Sequence, residues 1–380
     1  MQTKYIHVQE NTDYSILDEA ASIIRSGGLV AFPTETVYGL GANALDAVAV
    51  KKIYEAKGRP SDNPLIAHVA DMEGLYAITN DVPETARVLA DRFWPGPMTI
   101  ILDKNETVPY ETSGGLETVA VRMPSHELAR ELIRRAGVPI AAPSANTSGR
   151  PSPTSYEHVK MDLDGRVDMI IDGGAVEIGV ESTIIDVTSK VPTILRPGAI
   201  TYEMLVEAIG EVAIDDTLLS KPSEDMRPIA PGMKYRHYAP RASMSIVCGQ
   251  TEAVVAKIKE LVCDTTKKIG ILTTDENRRL YEEWAVQCPS EMHEDKDDVL
   301  YGRLDGNLDE KLDIGRAIYI LSLGSRDDEA SIASSLFAKL RQFDELGVDT
   351  IYAEGFETKN LGLAIMNRMM KAAGYHVINV

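Results

Sequence analysis

The stretch SHELARELIRRAGVPIAAPSANTSGRPSPTS, Ser125 to Ser155, runs through three patterns in succession. SHELARELIRRAG spaces its apolar residues with a helical period, and VPIAA is a short strand-like run. A loop of Ser, Asn and Thr groups follows, with Arg150 and three prolines. By composition alone that loop could be a disordered linker. Its place after a strand and before further globular pattern makes it a rigid binding loop at a strand end, where open α/β sheets hold their ligands.

The same grammar extends in both directions. YSILDEAASIIRSGG reads as a helix closed by Gly27-Gly28, and LVAFP follows as a strand. LIAHVA, MTIILD, TVAVRMP, DMIIDGG, STIIDVT and PTILRPG are further strands, with helices near AVAVKKIYEAK and PETARVLADRFW. This is mixed α/β with many strands, expected over residues 1–210. From Glu211 to Ala242 the periodicity fades into Pro and polar residues, yet the cluster Lys234, Tyr235, Arg236, His237, Tyr238 is too rich in binding chemistry for a spacer. Residues 211–242 are therefore expected to pack over the first domain. Beyond them strands alternate with helices (MSIVCG, TEAVVAKIKELV, KIGILTT and onward to YHVINV), which predicts a smaller Rossmann-like parallel sheet over 243–380.

Composition narrows the function. A hydrophobic content of 44% supports buried cores, and the formal net charge of −19 is spread over both halves of the chain. Such a surface repels nucleic acid and anionic lipid, so direct nucleic-acid binding is disfavoured and an anionic ligand needs a few placed cations. The three cysteines contain no C-x-x-C pair, which argues against a zinc ribbon or a disulfide scaffold. No apolar run approaches the length of a membrane span, and the first residues lack a secretory pattern, so a cytoplasmic protein is expected.

The candidate cations sit in EAKGRPSDNPL, where Lys57 and Arg59 flank Gly58 in a proline-stiffened loop. Arg59 offers a planar fork and Lys57 a point charge, a pairing that suits phosphate oxygens, although alone it also fits a solvated loop. PTETVYGLG adds hydroxyls and a carboxylate; the G-x-G-x-x-A of YGLGANA follows a strand, but PTETVY intervenes in the turn and Asp62 lies in a loop, so a dinucleotide fingerprint does not fit and the glycines read as a loop passing close to something. Arg122 ends the apolar strand of VAVRMP, where an unpaired guanidinium is costly and a ligand carboxylate would satisfy it. Ser182, Thr183 and Arg196 mark further strand ends. His68 lies in a strand and is equally a core histidine or a site residue. No catalytic triad or histidine metal spacing is visible.

Taken in order, PTETVYGLG, KGRPSDNPL, FWPGPMT, VAVRMP, APSANTSGRPSPT, GVESTIID and LRPGAI closely resemble the threonylcarbamoyl-AMP synthase family, the YrdC-like domain, and PGMKYRHYAP resembles the linker of its two-domain form. The resemblance implies synthesis of threonylcarbamoyl adenylate and pyrophosphate from L-threonine, bicarbonate and ATP with Mg²⁺. A transferase complex would then pass the group to tRNA beside the anticodon. It further implies that Lys57, Arg59 and Arg196 face the phosphates, with Asn63, Thr118, the Ala142 backbone, Ser144 and Ser152 positioning ATP. Arg122 would hold the threonine carboxylate, and Thr36, His68 and Ser182 the rest of the amino acid. Tyr235, His237 or Tyr238 would touch the nucleotide from a linker that closes the pocket. Two rivals remain: a non-catalytic RNA-binding module, which the acidic balance opposes, and a carbamoyltransferase, which would carry zinc-finger cysteines.

Overall fold

The computed structural model describes residues 2–8, 13–220, 228–234, 237–263, 267–287, 299–301 and 316–380. Within them the first part of the chain builds a large mixed sheet from β1 (Lys4–His7), β2 (Val30–Phe32), β3 (Gly39–Asn43), β4 (Ile66–His68), β5 (Met98–Asp103), β6 (Thr118–Arg122), β7 (Ile140–Ala141), β8 (Met169–Asp172), β9 (Thr183–Asp186), β10 (Thr193–Arg196) and β11 (Ala213–Ile214). Their spatial order is β1-β8-β2-β3-β7-β4-β6-β5-β9-β10-β11.

Period-two alternation explains how this sheet is covered. Ile100, Val121, Ile185 and Ile194 point into the main core on one face. Their neighbours Ile101, Ala120, Ile184 and Leu195 point the other way, where they meet Ala230 and Met233 of the connecting segment. That segment is thus a layer over the sheet, and burying a side chain such as Met233 contributes about 1.5–3 kcal/mol.

The second sheet contains β12 (Ser243–Cys248), β13 (Ile269–Thr273), β14 (Val299–Tyr301), β15 (Arg316–Ser322), β16 (Thr350–Glu354) and β17 (Val377–Asn379), in the order β14-β15-β13-β16-β12-β17. Every described pairing in it is parallel. Ile269, Ile271, Ile318 and Ile320 pack on helices Thr251–Cys263 and Asp275–Gln287. Leu272, Leu321, Ile351 and Ala353 pack on helices Glu329–Leu346 and Gly362–Ala372, so both faces are buried, as a parallel sheet requires.

Three strands of the first sheet differ from the sequence reading, which also does not include β14 of the second sheet. The glycine stretch expected as a loop is β3, antiparallel to β2. A Cβ on Gly41 would lie 2.7 Å from both Ile140 and Phe32, so glycine here lets strands and core close up. Inside the expected linker, β11 pairs in parallel with β10. At the first edge, β1 pairs with β8, a contact far from local in sequence. No helix of the described residues is long and apolar enough to cross a membrane.

Candidate active site

Strand ends and the loops after them converge on one cavity of about 50 Å³. Asp46 caps helix Ala47–Lys57 by accepting from the Val48 and Ala49 N–H groups, and Gly58, at φ 62°, ends it. That stop carries Arg59 to the cavity wall, with its Nη2 3.1 Å from the Pro64 carbonyl. The loop after β7 is strapped to the start of β3 and the loop before it: Leu40 N–H donates to the Pro143 carbonyl and Ala145 N–H to the Tyr38 carbonyl, each at 2.8 Å. Thr34, Thr36, Ala142 and Ser144 are thereby brought to one wall.

Arg122, at the end of β6, is buried with Glu35, the Nη2 to Oε1 distance being 2.8 Å. Its Nη1 donates to Thr36 Oγ1 at 2.9 Å, while Nε has no hydrogen-bond partner among the described residues. Burial works to raise the Glu35 carboxyl, but the Arg122 guanidinium outweighs it and holds the group below the usual carboxylate range. Arg196, at the end of β10, donates from Nε to the Ser182 carbonyl at 3.0 Å and from Nη2 to Ser182 Oγ at 3.1 Å. Ser182 Oγ also lies 2.7 Å from Thr99 Oγ1. Burial lowers Arg196 to about 10, which leaves it a cation at neutral pH.

Of the residues expected at the site, Thr36, Arg59, His68, Arg122, Ala142, Ser144, Arg196, His237 and Tyr238 line the cavity together. Ser182 stands directly behind Arg196. Lys57 does not line it. Its ammonium is buried under the binding loop and donates to the carbonyls of Ser144 and Asn146, and burial pushes its pKa well down. Lys57 thus holds the loop in shape instead of presenting a charge to the cavity. Asn63 is buried within the cation loop and Ser152 is buried where it donates to Glu181; neither Asn63 nor Ser152 lines the cavity. Thr118 begins β6, about 13 Å along an extended strand from Arg122. Tyr235 lies outside the described residues.

Two groups escaped the sequence reading. Glu181 lines the cavity, and the linker supplies Pro231 and Gly232 as well as His237 and Tyr238. Tyr238 has φ 62°, unusual for a non-glycine residue, and its ring packs 5.1 Å from that of Phe337 in the second domain. The signal for Glu181 was present in GVESTIID, one residue before Ser182. Among the described residues no cluster of histidine, cysteine or carboxylate side chains could hold a metal ion.

Burial keeps three histidines neutral, with His68 lowered to about 3, His158 to about 4 and His237 well down. An unfolded histidine takes up its proton near pH 6.5. These groups therefore leave stability intact above that pH and reduce it as pH falls, by up to about 1.4 kcal/mol per pH unit for each. Guanidinium midpoints followed from pH 7 to pH 5 should fall less steeply for His68→Gln than for the unsubstituted protein. Parallel profiles would contradict the assignment.

Arginines from two strand ends and one helix stop, gathered on a small cavity beneath a second α/β domain, define an α/β protein built to hold a small anionic ligand. The family model described as "Telomere recombination" matches residues 22–198, and that described as "Threonylcarbamoyl-AMP synthase, C-terminal domain" matches residues 200–374. The chain is 47% identical over 381 residues to a threonylcarbamoyl-AMP synthase of Pyrococcus abyssi and 46% identical over 383 residues to one of Bacillus subtilis, with 100% of each chain covered in both cases. The chain belongs to the threonylcarbamoyl-AMP synthase family, in its two-domain form. It is also similar to the crystal structure of P. abyssi Sua5 complexed with L-threonine, at a TM-score of 0.85 and 46% identity, with 100% of both chains covered.

Proposed function

We propose that this chain makes L-threonylcarbamoyl adenylate and pyrophosphate from L-threonine, bicarbonate and ATP, acting as a nucleotidyltransferase for threonylcarbamoyladenosine modification of tRNA. The observation that carries this reading is the Arg122 corner: a buried guanidinium with an unused Nε donor, beside Thr36 and His68, matches an amino-acid carboxylate. Family membership over the whole chain supports it.

The chemistry needs anions brought together against their repulsion. Threonine's amine, after losing a proton, attacks the bicarbonate carbon, and water leaves to give a carbamate. A carbamate oxygen then bonds to the α-phosphorus of ATP while the bond to the bridging oxygen breaks, its electron pair leaving with pyrophosphate. Arg122 fixes the carboxylate; Arg59 and Arg196 offset the phosphate charge; His68, held neutral, adds no competing charge. Mg²⁺ enters with the triphosphate as part of the substrate. Among the described residues Glu35 and Glu181 are each committed to an arginine, so phosphate oxygens and water would supply its ligands.

The cavity is far smaller than the roughly 300–1,000 Å³ of a typical small-molecule pocket. Its boundary at Pro231, Gly232, His237 and Tyr238 is the linker, so nucleotide entry requires the linker to lift. Reclosure would shield a water-labile mixed anhydride. The product would be consumed by a separate transferase acting on tRNA. Mass spectrometry with heavy-carbon bicarbonate should find the label in an adenylate that also contains threonine. Absence of that adenylate, or an unlabelled one, would contradict the reading.

A further inference from the structure

Glu181 is the one carboxylate lining the cavity among the described residues, on a wall where phosphates have to gather. Its charge would repel them unless something takes it up. The group that does so comes from the other domain. Arg368, in helix Gly362–Ala372, donates from Nε to Glu181 Oε2 at 2.9 Å, from Nη2 to the Glu181 carbonyl at 3.2 Å and from Nη1 to the Pro197 carbonyl at 2.6 Å. Both Arg368 and Glu181 are buried.

We propose that Arg368 is a positioning residue for the catalytic pocket: it neutralises Glu181, so that this carboxylate anchors the Ser152 hydroxyl and leaves the phosphate side of the cavity positive. The proposal rests on the reading of the site as a nucleotide pocket. Ser152 Oγ donates to Glu181 Oε1 at 2.5 Å, which ties the binding loop after β7 to the loop before β9. Arg368 joins that second loop to the one after β10. Space there is tight, since a Cβ on Gly198 would lie 2.5 Å from the Thr183 nitrogen. The same two loops aim Arg196 through its bonds to Ser182. One guanidinium from the second domain thus sets the charge and the shape of this wall, a task for three directed donors that a lysine cannot reproduce.

The charged and titratable groups around Glu181 are Arg368 and Lys371 from helix Gly362–Ala372, Arg196 from β10 and Tyr238 from the linker, with the Ser152 hydroxyl. Removing Arg368 takes away the largest cation acting on the carboxylate, so its proton affinity rises while that of the unsubstituted protein stays low. This gives a signature that lost packing alone would not produce.

The test compares the unsubstituted full chain with Arg368→Met, Arg368→Lys, Glu181→Gln and the double variant Glu181→Gln/Arg368→Met in steady-state pyrophosphate release. KM for ATP should rise on the order of 30-fold or more in Arg368→Met, and Arg368→Lys should restore only part of the loss. The ratio of variant to unsubstituted KM should shrink as pH is lowered, because protonation removes the bare charge. In the Glu181→Gln background, substitution of Arg368 should change KM by less than about threefold. An unchanged KM in Arg368→Met, a pH-independent ratio, or an equal loss in the Glu181→Gln background would overturn the proposal. Should Arg368→Met fail to fold, the comparison of the double variant with Glu181→Gln decides alone: close agreement supports the proposal, and a tenfold gap refutes it. Unsubstituted protein that releases no pyrophosphate would refute the nucleotide reading itself, an outcome distinct from either.

Discussion

Arg196→Met is expected to lower kcat/KM for ATP by about 10²–10³-fold, the range for removing a preorganised charge from developing phosphate charge. The effect is large because Arg196 works twice. Its guanidinium lines the cavity as a cation, and its Nε and Nη2 hold both the carbonyl and the hydroxyl of Ser182. Loss of the side chain removes the charge and takes the Nε donor from the buried Ser182 carbonyl, at a cost of about 1–3 kcal/mol, while the Ser182 hydroxyl keeps Thr99 Oγ1 at 2.7 Å. Binding of threonine alone, followed calorimetrically, should change much less than nucleotide turnover. Equal losses in both would show that Arg196 serves the fold more than the phosphates.

The second large effect belongs to Arg122. Arg122→Ala should raise KM for threonine by roughly 10²–10³-fold while KM for ATP moves by less than about threefold. It also strips Glu35 of its ion pair in a buried setting, which costs about 3–5 kcal/mol of stability. The two consequences separate in Arg122→Ala/Glu35→Gln, where the uncompensated charge is gone. Thermal stability should recover in that double variant and threonine use should not. Recovery of both would mean that Arg122 is a structural partner of Glu35 and not a carboxylate site.

Much of this site was legible because its cations sit where local pattern places them. Arg122 and Arg196 end apolar strands, and Arg59 sits in a proline-stiffened loop of polar residues, so strand pattern and loop composition located them. What stayed hidden depends on contacts distant in sequence. Lys57 lies two residues before Arg59, yet the turn of its helix directs it under Ser144 and Asn146, nearly ninety residues away. GLGAN reads as a loop passing close to something, and only the fold shows a strand whose Gly41 leaves room for Ile140 and Phe32. Helix Gly362–Ala372 carries Asn367, Arg368 and Lys371, polar residues whose partners no local pattern names. All three are buried, because the first domain and the linker receive them at Leu218, Glu181 and Gly232.

The short connecting segment illustrates the same limit. Its loss of periodicity marked it as irregular, but Ala230 and Met233 complete an apolar layer whose other members lie on five strands. Burial of those two residues, together with the Lys371 contact to the Gly232 carbonyl at 2.6 Å, holds the linker over the cavity.

The central claim is that one pocket joins threonine, bicarbonate and the α-phosphate of ATP. The most direct test follows pyrophosphate release from ATP and Mg²⁺ by the full chain, with threonine and bicarbonate omitted in turn. Release that requires both is the predicted result. Release that requires neither, or no release with all substrates present, would contradict the account.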